Sequence, residues 1–257
     1  MAANRLATNG QEWTNIMSED NGGTYNNQWM IIDYSKIQED GSLDDGTLWV
    51  YEQLPGLRLA ISNLILISSL GRTWAEDQTN VLREKGFWAS YNRAFYPEVH
   101  RLSGGEEMAE KYGEYFSYTD TPRAKIMARE QAKVVDEESM TEFMRFVRNL
   151  IHDLQVIMNI FVHRYNDFQN DIEAQVEGCN HPIPAGSIAN RLDLTLPGSE
   201  CEFEDLDQMI GHKGYGALDM KFVTRRLMAA GQQFWAVAGP MHNDQVINNI
   251  LLVFIAD

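Results

Sequence analysis

The stretch "NGGTYNNQWMIIDY", residues 21–34, determines the predicted fold and contains the first candidate site. It begins with a glycine turn, continues through the adjacent amides Asn26 and Asn27, and ends in residues typical of a β-strand. A second run of this kind, "TLWVYEQL" (47–54), follows the polar segment "SKIQEDGSLDDG". The two runs predict neighbouring strands joined by a turn. The asparagine pair would then lie where a loop enters the first strand.

Segments with helical spacing or with further strand character occupy most of the remaining chain. The main ones are helices at 2–8 and 11–18 separated by Asn9–Gly10, a helix or extended turn at 73–85, a short acidic helix at 103–112, a helix from Pro122 through 123–135, a helix capped by Asp136, and strands at 186–196 and 218–228. Helices and strands come in blocks, which favours the α+β class over a regularly alternating parallel sheet.

Composition limits the classes of partner. The 257 residues include 21 Lys+Arg and 37 Asp+Glu, a formal charge of −16, and no basic stripe offsets it. We therefore expect no nucleic-acid partner.

The start of the chain lacks the pattern of a signal peptide. The most apolar window, 59–71, is shorter than the roughly 20 residues needed to span a bilayer, so no transmembrane segment is predicted.

Common catalytic and metal-binding motifs are missing from the sequence. It has no Gly-x-Ser-x-Gly, His-Glu-x-x-His, phosphate loop or Cys-x-x-Cys, and we expect no metal or cofactor. Cys179 and Cys201 could form one disulfide or remain free thiols, and the sequence leaves both open.

Several residues allow both a structural and a functional interpretation. Asn26 and Asn27 fit turn chemistry, but a side-chain amide can also donate to an oxyanion in acyl transfer. Arg123 is commonly a solvated first-turn residue, yet a buried arginine could bind a carboxylate or phosphate. The cluster "FWASYN" (87–92) is usual in core packing and occasionally lines a ligand site. Composition and spacing alone indicate only an acidic α+β domain.

A series of motifs resembles the phospholipase B-like family, the lamina-ancestor type of lysosomal or secreted hydrolase. They follow the family's order over most of the chain: "ANRLATNGQEWTNIM", "GGTYNNQWMIIDY", "LWVYEQLPG", "FWASYN", "YFSYTDTPRAKIMAREQ", "RYNDFQND" and "GALDMKFVT". The resemblance implies a partial αββα sandwich of the N-terminal nucleophile hydrolase type. It also implies hydrolysis of an acyl ester or amide in a phospholipid or N-acylated lipid, that is, lipid degradation, in a lysosomal or secreted protein.

The resemblance also implies a mechanism and a set of site residues. A cysteine released by internal cleavage would be the nucleophile, and its own α-amino group, with a pKa near 8, would be the base. Asn26 or Asn27 would donate to the oxyanion, and Arg123 would orient or neutralise an acidic group of the substrate. The pocket wall is expected to comprise Thr24, Trp29, Trp88, Tyr91 and Asn92.

This sequence departs from the family pattern at the nucleophile. The family places the nucleophilic cysteine upstream of the segment with which this chain begins, so neither Cys179 nor Cys201 is assigned to that role. Val176 stands about where the family has a second cysteine close to Cys179. We expect residues 1–257 to form one incomplete domain, the C-terminal portion, which needs a missing N-terminal fragment and is inactive alone. The alternative is a non-catalytic lipid- or protein-binding remnant.

Three apolar stretches interrupt the family motifs: 58–71, 146–163 and 246–257. Periodicity alone predicts a core strand, a core helix and a C-terminal strand. The resemblance suggests instead that they are insertions. Removing 58–71 joins two family motifs, removing 146–163 joins "EFMR" to "YNDF", and 246–257 replaces the family ending. They are rich in Ile, Leu, Val, Asn and Phe, the residues that AT-rich non-coding sequence encodes, and this composition favours the hypothesis of translated retained introns.

Overall fold

A computed structural model describes most of the N-terminal half of the chain and parts of the rest. The described residues are 2–19, 21, 23–55, 58–61, 64–67, 72–144, 179, 186, 188, 192, 201, 205, 209–214, 216, 219–231 and 233–238. The chain divides into two compact units, Met1–Lys111 and Tyr112–Asp257. Among the described residues, no helix has the length and apolar character needed to cross a bilayer.

The first unit is built on a three-stranded antiparallel sheet. Its strands are β1 (Gln28–Ile32), β2 (Leu48–Leu54) and β5 (Arg72–Asp77), in the order β1-β2-β5. The register pairs Gln28 with Glu52 and Leu54 with Arg72. The predicted pairing of the first two strands is confirmed.

Among the described residues, five helices accompany this sheet. They are α1 (Ala2–Leu6), α2 (Gly10–Glu19), α3 (Thr79–Lys85), α4 (Pro97–Leu102) and α5 (Gly105–Tyr112). The two N-terminal helices and the acidic helix were predicted correctly. The prediction of a helix or extended turn from residue 73 was wrong for its first part, because that segment pairs with β2 as a strand. Asp77 then accepts from the Thr79 backbone N–H at 2.9 Å, where α3 begins.

Strand β2 forms the core of the first unit because both of its faces are covered. On one face Leu48 and Val50 pack with Tyr96 and Val99. On the other face the Tyr51 hydroxyl donates to the Met17 carbonyl of α2 at 3.3 Å. The five core side chains are each at most 5% exposed: Leu48, Val50, Tyr51, Tyr96 and Val99. Burial on both faces explains the nearly continuous apolar run of β2.

Between β2 and β5 the chain forms a separate hairpin. Strands β3 (Arg58–Ile61) and β4 (Leu64–Ile67) pair with each other in a two-stranded antiparallel sheet. The single core strand that periodicity suggested for 58–71 is therefore wrong. The other two apolar stretches, 146–163 and 246–257, lie outside the described residues.

The second unit contains helices α6 (Pro122–Glu130), α7 (Glu137–Met144) and α8 (Arg225–Ala229), with strands β6 (Asp219–Phe222) and β7 (Trp235–Ala238) paired antiparallel. Proline opens α6 as predicted, but the helix ends at Glu130 and a 3₁₀ turn follows. The predicted cap of α7 is confirmed, since the Asp136 carboxylate accepts from the Ser139 backbone N–H at 2.8 Å.

Two other sequence predictions in this unit need correction or completion. The strand predicted for 218–228 ends at Phe222, because the Thr224 hydroxyl accepts from the Leu227 backbone N–H at 3.1 Å and caps α8. The strand predicted for 186–196 lies mostly outside the described residues.

A disulfide joins Cys179 and Cys201, which settles the alternative that the sequence left open. The mixture of helices and antiparallel strands fits the predicted α+β class.

Candidate functional site

A cavity of about 430 Å³ lies in the first unit, where the turn before β1 meets the end of β2 and the segment that leads into α4. Polar groups dominate its wall. The lining residues are Asn26, Asn27, Gln28, Glu52, Gln53, Leu54, Ser90, Asn92, Arg93, Ala94, Val99 and Ser103. Three residues predicted for the site, Asn26, Asn27 and Asn92, therefore lie at one cavity.

The asparagine pair is held by the turn that precedes β1. Asn26 Nδ2 donates to the Gly23 carbonyl at 3.0 Å, and Asn27 Nδ2 donates to the Tyr25 carbonyl at 3.2 Å. Tyr25 adopts the left-handed backbone region, with φ of 54°. The turn chemistry suggested by the sequence is therefore present. Each amide nitrogen carries two hydrogens, so one N–H of each side chain is available for a further bond.

The oxygen of Asn26 differs from its nitrogen in having no partner. Asn26 Oδ1 is buried and accepts no hydrogen bond, and the same is true of Gln28 Oε1. Most buried polar atoms in proteins are hydrogen-bonded, so two unpartnered acceptors at one cavity are unusual.

Glu52 is the buried charge of the cavity, with only 2% of its surface exposed. Its Oε1 accepts from Gln28 Nε2 at 2.6 Å and from the Phe95 backbone N–H at 2.7 Å, and its Oε2 accepts from the Tyr96 backbone N–H at 3.1 Å. The cross-strand register explains the first bond, because Gln28 and Glu52 lie directly opposite each other. The Glu52 carboxylate of β2 therefore connects the sheet by hydrogen bonds to Phe95 and Tyr96, the two residues that precede α4.

Sequence reasoning missed both Gln28 and Glu52. The available signal was a single acidic residue within the apolar run "LWVYEQL". Charged residues are rarely buried without partners, so an isolated glutamate in a strand with two covered faces indicates a hydrogen-bonded interior carboxylate.

The segment 88–96 forms the other side of the cavity. Trp88 packs edge-on against Phe95 with ring centroids 4.6 Å apart. Tyr96 donates its hydroxyl to the Val50 carbonyl at 2.8 Å. Asn92 has a positive φ of 59°, so its backbone turns sharply as it enters the lining. Burial raises the pKa of the Tyr91 hydroxyl in the same segment.

Four of the five predicted wall residues are not among the residues that line this cavity. Trp88 and Tyr91 belong to the adjoining segment. Trp29 is 37% exposed and donates its indole N–H to Gln53 Oε1 at 3.0 Å, behind the lining. Thr24 is exposed in the turn. Their role as a pocket wall remains a prediction.

Arg123 belongs to the second unit, where it is the second residue of α6. Its side chain is half-buried, and this burial lowers the pKa of the guanidinium, an effect that Tyr115 partly offsets. Its predicted contact with the acid group of a substrate remains a prediction.

In the parts of the chain that the structure describes, no group of three or more His, Cys, Asp or Glu side chains is arranged to hold a metal ion.

Comparison with known proteins identifies the family to which the chain belongs. The family model described as Phospholipase B matches residues 1–149, and the chain belongs to the phospholipase B family. It is 44% identical to Phospholipase-B 81 of Drysdalia coronoides over 201 residues, which are 74% of this chain and 30% of that protein.

Two further relatives give the same picture. The chain is 37% identical to Phospholipase B of Crotalus adamanteus over 206 residues, 76% of this chain and 31% of that protein. It is 34% identical to Phospholipase B-like protein B of Dictyostelium discoideum over 246 residues, 95% of this chain and 33% of that protein. The chain spans about a third of the length of the curated relatives it matches.

Proposed function

We propose that this chain supplies a substrate-binding part of a hydrolase that cleaves acyl ester or amide bonds in lipids. Membership of the phospholipase B family supports the class of reaction. The observation that carries the proposal is the cavity lined by Asn26, Asn27 and Asn92. Under the proposal, the complete protein has the N-terminal nucleophile hydrolase sandwich and acts in the lysosome or outside the cell.

Asn26 or Asn27 supplies the oxyanion donor in this proposal. Each amide nitrogen donates one N–H to a carbonyl of the turn, which fixes the amide plane. The second N–H is the group that would bind the negative oxygen of a tetrahedral intermediate. A donor held in place before the reaction stabilises the developing charge at little reorganisation cost. Arg123 orients an acidic group of the substrate in the complete protein.

The nucleophile in this proposal is not a cysteine of this sequence. A thiolate is the reactive form of cysteine, and the disulfide between Cys179 and Cys201 occupies both sulfurs. Because the family resemblance implies a cysteine nucleophile, the proposal assigns the covalent step to a cysteine that is not in this sequence, and the chain alone should bind substrate without turnover. This same observation favours a second function, lipid binding without catalysis.

We also propose that 58–71 is an insertion in the family domain. The supporting observation is that Leu54 pairs directly with Arg72, so β2 and β5 are adjacent without the hairpin between them. We extend the proposal to 146–163 and 246–257, all three as translated retained introns. Sequencing the mature transcript tests it, because three spliced-out segments are expected and their presence in mature transcripts would refute the idea.

The oxyanion proposal is tested by comparing two ligands that share one alkyl chain. A phosphonate monoester imitates the anionic tetrahedral intermediate, and the corresponding acyl amide imitates the ground state. We expect tighter binding of the phosphonate by the 257-residue chain. Asn27→Ala or Asn26→Ala should weaken phosphonate binding by about tenfold, the loss expected for one hydrogen bond to a charged group.

The matched control is Asn15→Ala, which removes an exposed amide on α2. Calorimetry should give this variant the affinity of the unchanged chain. Equal affinities for phosphonate and amide would refute the oxyanion assignment. Hydrolysis of a lipid ester that survives replacement of Cys179 and Cys201 would refute the proposed location of the nucleophile.

A further inference from the structure

The outer edge of β1 has no strand beside it among the described residues, because β1 pairs with β2 on its other side only. The Asp33 backbone N–H donates to the Thr47 carbonyl at 2.9 Å, so the backbone at Asp33 faces the β2 side. Backbone groups alternate between the two sides along an antiparallel strand. Gln28, Met30 and Ile32 therefore direct their N–H and carbonyl groups to the outer side.

The composition of β1 leaves this edge unprotected. Sheet edges are commonly protected by charged residues, by proline or by a β-bulge. The strand sequence QWMII has no charged residue and no proline, and its register with β2 is unbroken. Trp29 is 37% exposed, and Met30 and Ile32 are each 47% exposed. An uncharged edge with exposed apolar side chains favours pairing with a further strand.

The other edge strand of the same sheet carries the protection that β1 lacks. The sequence of β5 is RTWAED, in which Arg72, Glu76 and Asp77 are charged. Charged side chains on an edge strand disfavour its addition to another sheet. Strand pairing is therefore directed to β1. An assembly formed there would end at two copies, because both edges of the joined sheet would then be β5 strands.

We propose that β1 pairs with β1 of a second copy of this chain, antiparallel about a two-fold axis at Met30. The pairing joins two three-stranded sheets into one continuous sheet. Gln28 then lies opposite Ile32 of the second copy, and Met30 lies opposite its own counterpart. This register gives a partner to every outward backbone group of the strand, whereas a shift by two residues would leave some of these groups unpaired. The inference goes beyond the proposed function and does not depend on it.

Side chains and charge favour the second copy as the occupant of this edge. In the same register Trp29 lies opposite Ile31 of the second copy, an aromatic and β-branched pair of the kind that stabilises antiparallel sheets. Asp33, the first charged residue after the strand, lies opposite the neutral Asn27. No like charges therefore face each other along the paired segment, although each chain has a formal charge of −16. A basic partner would find no acidic residue within β1 to bind.

Sedimentation of the full chain measures this association, in about 0.5 M salt to screen the general repulsion between two acidic chains. The paired segment is short, so we expect a weak, closed dimer with a dissociation constant on the order of 10–100 µM. A chain that stays monomeric up to about 500 µM, well above the range expected for an interface of this size, would overturn the proposal. Growth beyond the dimer would also overturn it, because growth requires a second associating surface.

The variant Met30→Lys places two ammonium groups opposite each other at the two-fold axis. Loss of the apolar contact and the new repulsion should weaken dimerisation at least about tenfold. Met228→Lys is the matched control, because Met228 is 38% exposed on α8 and its replacement should leave the dissociation constant unchanged. Thermal unfolding checks that both variants fold. Equal dissociation constants for the two variants would refute the location of the interface.

Hydrogen exchange identifies the occupant of the edge on the unchanged chain, so this result stands even if Met30→Lys does not fold. The amides of Met30 and Ile32 should exchange several-fold more slowly in the dimer than in the dilute monomer, because only the dimer gives them acceptors. The Ile31 amide faces β2 and is the internal reference, whose exchange should change little. Slow exchange at Met30 and Ile32 that does not depend on concentration would mean that residues of the same copy cover the edge. That outcome would overturn the proposal.

Discussion

Replacing Glu52 by glutamine tests the central contact of the cavity. The side chain keeps its size but loses its charge and one acceptor oxygen. In the structure Oε1 accepts from Gln28 Nε2 and the Phe95 backbone N–H, and Oε2 accepts from the Tyr96 backbone N–H. Glutamine can preserve the bonds to Oε1. Its amide nitrogen would then face the Tyr96 N–H, which would lose its acceptor.

The expected loss of stability follows from these three bonds. A buried donor left without a partner costs about 1–3 kcal/mol. The two retained bonds lose the assistance of the charge, which is worth about 1 kcal/mol each. Glutamine also avoids the desolvation cost of the Glu52 carboxylate, which is only 2% exposed, and this gain offsets part of the lost stability. We therefore expect Glu52→Gln to lower the free energy of unfolding by about 2–4 kcal/mol.

Urea unfolding at neutral pH measures this loss, with Glu84→Gln as the matched control. Glu84 is exposed on α3, and the same substitution there should change the free energy of unfolding by less than about 0.5 kcal/mol. The two variants should share the slope of the unchanged chain, so that the difference appears in the midpoint. A Glu52→Gln midpoint equal to that of the control would refute the buried three-donor arrangement.

Two further predictions concern the insertion and the alkaline stability of the first unit. Deleting 58–71 shortens the connection between the paired residues Leu54 and Arg72 from seventeen residues to three. The lower loop-closure entropy should raise the free energy of unfolding by about 1.5 kcal/mol, and loss of the hairpin offsets part of this gain. We expect a thermal unfolding midpoint at or above that of the unchanged chain, and a fall of several degrees would contradict the insertion proposal. Burial raises the pKa of Tyr96, so the native state holds this proton longer than the unfolded chain and stability should fall as pH rises above about 10. Tyr96→Phe should cost about 1 kcal/mol at neutral pH through the lost bond to Val50 and reduce the alkaline loss measured by urea midpoints; an unchanged alkaline loss would contradict this origin.

Local sequence predicted the elements whose own residues determine them. The run of β-branched and aromatic residues at 28–34 is strand-forming in itself, and Pro122 and Asp136 start helices through their own backbone and side-chain chemistry. Residues 72–77 have no such signal. They form a strand because β2 offers its second edge for pairing, and only the tertiary structure supplies that edge.

The same distinction explains which site residues were missed. The importance of Gln28 and Glu52 depends on the register that places them opposite each other, 24 residues apart in the chain. Sequence alternation indicates which face a residue occupies, but register depends on the packing of both faces of β2. The burial of Glu52 follows from that packing as well, because the segment before α4 brings two backbone N–H groups to it.

The asparagine pair shows that turn chemistry and site chemistry are not exclusive alternatives. The bonds from Asn26 and Asn27 to the carbonyls of Gly23 and Tyr25 are those of a turn. They also fix both amide planes at the cavity, and a fixed dipole interacts with a charge without first having to be ordered. If the turn were loosened, for example by replacing Asn26 with a residue that cannot donate to Gly23, the remaining amide would lose orientation along with its support. The structural role of the pair is therefore the physical basis of the functional role that we propose.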